Sequence, residues 1–264
     1  NRLRTTLAPV PDIPAGLWLQ TLQRHPFLAA LDLPDQAKLR ALSALFLDGK
    51  QFHGAHGLQV TDAMAIDIAA QACLPLLHWG APDKALAWYD DFVGIVVHPA
   101  EALARRKAVD EAGVVHHYHE VLLGEAMEHG PVMLSWPAVD GAGRHGATSV
   151  VIHEFMHKID MRNGPADGCP PLPAGFLGQA GARNAHAAWQ AAWQPAYEQF
   201  REQVIIAERF GGDWPWLDAY GATAPAEFFA VACEAYFVDR PRFAQEFPTL
   251  APMLQAFFQP ALTG

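Results

Sequence analysis

The sequence predicts an α+β fold: a helical N-terminal lobe over residues 1–90, then a lobe over residues 91–264 joining a small mixed sheet to further helices, the two packed as one compact unit. Three observations predict it. Before residue 82 the apolar residues recur at helical spacing. Between 92 and 136 they gather into short, β-branched runs bounded by Gly, Pro or charged residues, and after 148 helical spacing returns. The chain has 264 residues, 51% of them hydrophobic and 17% charged, enough to bury a substantial core without disulfides.

In chain order, a proline-punctuated start gives way to residues 34–47, where Leu39, Leu42, Leu45 and Phe46 share a helical face and Pro34 falls in the first turn. Thr61 and Asp62 cap a second helix reaching about residue 77, whose Ala, Ile, Met and Leu residues leave little polar surface, so it is expected to be buried on most sides. Residues 92–97, 114–122 and 131–136 read as strands. A helix follows over 148–160, and 163–181, dense in Gly and Pro, reads as a long irregular loop of a length often tied to function. Residues 185–210 return to helix with Pro195 as a kink or break, another helix runs from 223 or 224 to about 238, and a last one covers 250–258.

Composition excludes several functions. Lys and Arg number 18 against 28 for Asp and Glu, a formal charge of −10, and no basic run is present to neutralise a phosphate backbone, which argues against direct nucleic-acid binding. The most apolar helical stretch, 63–77, is interrupted by Asp67, Gln71 and Pro75, too short and broken to cross a bilayer. Cys73, Cys169 and Cys233 are widely spaced, odd in number and form no CxxC pair, which suits a reducing compartment; a cytoplasmic location is expected.

The chemistry gathers at His153-Glu154-Phe155-Met156-His157, an HExxH sequence on a predicted helix. Four residues apart, the two imidazoles lie on one face and can share a cation, while Val150, Val151 and Ile152 lead in and Phe155, Met156 and Ile159 give the helix an apolar surface to bury. A catalytic zinc takes three protein ligands and keeps one position open, so a third donor has to arrive from elsewhere. Glu227 and Glu234 are the leading candidates; seven residues apart on the predicted helix 224–238, they lie on nearly the same face, and spacing does not choose between them. Asp160, one turn after His157, and Glu234 are also placed to orient a ligand imidazole. His116, His117 and His119 form a decoy: His117 and His119 share a strand face, but two histidines on a surface strand do not make a metal site.

With His153-Glu154-Phe155-Met156-His157, Tyr220-Gly221 and Glu227-Phe228-Phe229-Ala230 in view, the sequence resembles the zinc peptidases of the Mlc titration factor A type, related in their catalytic region to anthrax lethal factor. The likeness extends through Phe52-His53-Gly54-Ala55-His56-Gly57-Leu58, Ile68-Ala69-Ala70-Gln71-Ala72-Cys73-Leu74 and Gly130-Pro131-Val132-Met133-Leu134-Ser135-Trp136, covering about residues 30–240. In that group a tyrosine precedes the glutamate ligand by seven positions, as Tyr220 precedes Glu227, so the resemblance implies Glu227 as third ligand and Tyr220 as a catalytic residue.

It also implies a zincin-like lobe of gluzincin type, with His153, His157 and Glu227 holding one Zn2+, Glu154 as general base and Tyr220 stabilising the oxyanion. The expected activity is hydrolysis of peptides, aminopeptidase action being one option, and residues 131–136 resemble the strand whose free edge pairs with an extended substrate, a plain core strand being the equal alternative. A regulatory partner, a transcriptional repressor of sugar uptake, is implied by the resemblance alone. It sets up an alternative: a binding protein that sequesters a repressor, with peptidase activity secondary.

Overall fold

The computed structural model describes residues 12–260 apart from residues 101, 110–114, 123, 127–129 and 145. Four helices and one strand come first: α1 (Ala15–Arg24), α2 (Pro26–Ala29), α3 (Leu33–Gly49), β1 (Gln51–Gly54) and α4 (Asp62–Cys73). Then follow α5 (Pro82–Leu86), β2 (Gly94–His98), β3 (Ala102–Val109), β4 (Val115–Leu122), β5 (Gly124–Ala126) and β6 (Val132–Ser135). The rest is helical: α6 (Trp136–Asp140), α7 (Val150–Asp160), α8 (Ala182–Phe210), α9 (Pro225–Val238), α10 (Arg240–Glu246) and α11 (Leu250–Phe258).

The predicted α+β class and small mixed sheet are present. Strand order is β1-β2-β6-β5, with β1, β2 and β6 parallel and β5 antiparallel to β6; β3 and β4 form a separate antiparallel pair. One expectation changes here. β6 lies inside the sheet between β2 and β5, so its edge is not free, and the antiparallel edge strand is β5. The His116, His117 and His119 side chains on β4 lie outside the described residues.

Local chemistry explains the helix starts. Thr61 caps α4, its hydroxyl accepting from the Met64 N–H at 3.3 Å, and Ser149 caps α7 by accepting from the Ile152 N–H at 3.2 Å. Pro195, expected to kink or break its helix, does not break it: α8 runs through it as one helix. Its lost hydrogen bond and ring clash cost about 3 kcal/mol. Against that stand buried aromatics on either side: Trp189 and Trp193 stack at 4.8 Å, and Trp193 and Phe200 both meet Phe228 of α9, at 5.7 and 5.3 Å.

One continuous apolar core runs from Ile13 to Phe258 and holds both helices that carry candidate ligands. On α7, Phe155 is fully buried among Tyr89, Phe46 and Phe92, with ring centroids 4.8, 5.7 and 5.8 Å away. On α9, Phe228 and Phe229 pack under α8 in the same way. Each such ring contributes about 1.5–3 kcal/mol by burial, so the polar faces of α7 and α9 are fixed by the apolar faces behind them. α7 also packs beside β5 and β6. Among the described residues no helix is long and apolar enough to cross a membrane.

Candidate metal centre

The polar faces of α7 and α9 meet at three atoms. His153 Nε2 lies 3.0 Å and His157 Nε2 3.1 Å from the same Glu227 oxygen, and the two nitrogens are 3.2 Å apart. Among the described residues this is the one group of three that can hold a metal ion. The dimensions suit a small divalent ion: tetrahedral donors about 2.0–2.1 Å from zinc stand roughly 3.3–3.4 Å apart.

The protons point the same way. His153 Nδ1 faces a Glu234 oxygen at 2.7 Å, and a carboxylate there takes the ring's N–H. In the neutral imidazole that leaves Nε2 as a lone pair facing the Glu227 carboxylate, two acceptors 3.0 Å apart that only a cation or a second proton can join. Without metal, a second proton on His153 fills the gap. Burial would lower that imidazole's pKa, but hydrogen bonds to Glu227 and Glu234 outweigh it and raise it well above the usual range. Burial likewise opposes ionisation of Glu227, yet the two imidazoles hold it well below the ordinary carboxylate range. The site is built for a positive charge.

Each residue singled out from sequence has a definite place. Glu154 is buried on α7; burial raises its pKa, partly offset by the His153 and His157 imidazoles. Tyr220 lies in a 3-10 turn (Ala219–Ala222) leading into α9, its ring 5.9 Å from the His153 ring. The two glutamates that spacing left level divide one imidazole between them, Glu227 on Nε2 and Glu234 on Nδ1. Glu234's other oxygen accepts the Ser149 N–H at 2.6 Å. Ser149 was missed by sequence reading, and its signal was its position as N-cap of an HExxH helix.

Asp160 does something other than orient an imidazole. Its Oδ2 accepts the Gly168 N–H at 2.8 Å, while Asp160 Oδ1 and His157 Nδ1 are buried without partners. Gly168 needs to be glycine: φ is +83°, and a Cβ would lie 2.7 Å from the Pro225 carbonyl oxygen. Its own carbonyl accepts Trp189 Nε1–H at 2.8 Å, so α7, α8 and the start of α9 meet on one residue.

Burial raises Asp160 to about 6 against an ordinary 3.8, so its ionisation costs stability: its contribution is full below about pH 4 and is lost as pH rises through about 6. In zinc-free protein, Asp160→Asn, which keeps an acceptor for Gly168, is expected to stabilise by about 1–3 kcal/mol at pH 7. Thermal unfolding should show that gain shrinking toward zero near pH 4, and a gain independent of pH would contradict the assignment.

Three converging acceptors on two helices call for a cation, and a cation on an HExxH helix places the protein in the class of metallopeptidases. Comparison with known families narrows the class. The chain belongs to the family described as Glucose-regulated metallo-peptidase M90, whose model matches residues 1–259. Among its relatives is "Mlc titration factor A" of Klebsiella pneumoniae (strain 342), 32% identical over 92% of this chain and 85% of the relative. The protein of the same name from Cronobacter sakazakii is 32% identical over 92% of this chain and 83% of its own length, and that from Salmonella arizonae 31% identical over 89% and 87%.

Proposed function

We propose that this chain is a zinc-dependent peptidase in which His153, His157 and Glu227 hold one zinc ion, Glu154 is the general base and Tyr220 stabilises the oxyanion. The observation that carries the reading is the triangle of three acceptor atoms, 3.0, 3.1 and 3.2 Å on its sides. Zinc, when bound, supplies Lewis acidity that lowers the ionisation of water toward about pH 7. Glu154 accepts the proton released as water attacks the peptide carbonyl, and its burial keeps that proton exchange away from bulk solvent. The Tyr220 hydroxyl donates to the oxyanion that forms. An extended substrate pairs with the outer edge of β5, the antiparallel edge strand among the described residues. The proposed location is the cytoplasm, consistent with three free, buried cysteines.

Metal analysis of the purified protein, with turnover of a peptide panel blocked or free at the N-terminus, tests the reading and separates aminopeptidase from endopeptidase action. The expected result is about one zinc per chain and hydrolysis lost to chelator; metal-free protein that still cleaves peptides would end it. Tyr220→Phe is expected to lower kcat by about 10²–10³-fold with zinc content near normal, as for loss of one oxyanion donor. Loss of zinc in that variant would reassign Tyr220 to structure.

A second reading is favoured by the relatives' name, Mlc titration factor A. In it this chain binds a repressor of Mlc type stoichiometrically, and hydrolysis is secondary. Binding of such a repressor that persists in a hydrolytically dead variant would support this reading.

A further inference from the structure

After Asp62 in its first turn, α4 is an apolar helix with two exceptions on one face, Asp67 and Gln71, one turn apart and both fully buried. A buried amide or carboxylate persists in such a place only when its hydrogen bonds are made. Asp67 is met from α1, by the Thr21 hydroxyl at 2.6 Å and by the Arg24 guanidinium. Gln71 donates from Nε2 to the Asp67 backbone carbonyl at 3.2 Å, and the same nitrogen faces His25 Nε2 at 3.5 Å. That orientation turns Gln71 Oε1 toward α7, where it accepts the Ser149 hydroxyl at 2.8 Å.

Ser149 therefore has every polar group committed. Its hydroxyl donates to Gln71 and accepts the Ile152 N–H, and its own N–H donates to Glu234, whose second oxygen takes His153 Nδ1. Ser149 donates both ways, from its hydroxyl to Gln71 and from its N–H to Glu234, so turning the Gln71 amide or withdrawing it leaves the Ser149 hydroxyl without its acceptor. A carboxylate that loses its alignment then frees the imidazole it orients.

We propose that Gln71 is a positioning residue for His153, acting through Ser149 and Glu234, and that it ties α4 of the N-terminal lobe to the metal centre. The inference rests on the metal-site reading above. A merely structural role for Gln71, as a satisfied core amide, predicts lower stability of the zinc-free protein and an unchanged zinc constant. Positioning predicts a changed constant.

The test measures the zinc dissociation constant by competition with a chelator of known affinity, together with the visible spectrum of the cobalt(II)-loaded protein. Unfolding of the zinc-free form serves as control. Gln71→Met, similar in shape without an amide, and Ser149→Ala are expected to weaken zinc binding about 10–100-fold and to shift the cobalt bands. Ser149→Thr, which restores the hydroxyl, is expected to return the constant to within about twofold of the unaltered protein. If Gln71→Met does not fold, the Ser149 pair decides the matter. Unaltered protein that binds zinc tightly, with Ser149→Ala or folded Gln71→Met binding it equally well, would overturn the inference alone. Unaltered protein that takes up no zinc would overturn the metal centre itself.

Discussion

Replacing Glu154 by Gln will stop peptide hydrolysis while leaving the protein folded and loaded with zinc. The amide keeps the size of the side chain and cannot accept a proton at neutral pH, so only the base is lost, a factor of about 10²–10⁴ in kcat. Zinc is expected to stay because Glu154 is absent from the converging group that could hold an ion, His153, His157 and Glu227. The variant can be slightly more stable, since burial disfavours the ionised Glu154 carboxyl. The checks are kcat on a cleaved peptide and zinc per chain by mass spectrometry. Retained hydrolysis would remove Glu154 from the mechanism, and zinc loss would mean that it holds the metal. The same variant addresses the binding reading, because its outer surface is unchanged.

Replacing Glu227 by Ala will empty the site. Two imidazoles remain, and Glu234 is in no position to substitute, since one of its oxygens holds His153 Nδ1 and the other the Ser149 N–H. Zinc content should fall to background and activity with it. The stabilisation by metal should vanish too: at a free concentration 100 times the dissociation constant it amounts to about 2.7 kcal/mol, or roughly 5–11 °C in Tm. Thermal unfolding with and without added zinc measures the difference, which the unaltered protein should show and Glu227→Ala should not. A zinc-dependent Tm in the variant would point to a different ligand set.

Much of this was legible in the sequence because it depended on spacing along a single helix. His153 and His157 face the same way by helical period alone, and the last helix, Leu250–Phe258, is the run 250–258 read from its apolar residues. The third carboxylate was not legible from spacing, since two turns of α9 bring Glu227 and Glu234 onto one face and only the tertiary placement of His153 between them separates their tasks. Three strands were missed: β3, with Arg105, Arg106 and Lys107 at its centre, and two short ones, β1, Gln51-Phe52-His53-Gly54 with one large apolar side chain, and β5, which spans three residues. The strand character of β1 and β5 comes from neighbours β2 and β6. Asp67 and Gln71 were visible only as interruptions of an apolar helix, and their partners come from α1 and α7.

The pinned backbone at Gly168 fixes one point of the long Gly- and Pro-rich segment after α7. α9 leaves from Pro225, whose carbonyl oxygen has no space for a Cβ at 168, and Glu227 stands two residues further on. Gly168 thus holds the start of the helix that carries Glu227 against the helix that carries His153 and His157. Asp160 and Trp189 grip that same residue from the other two helices.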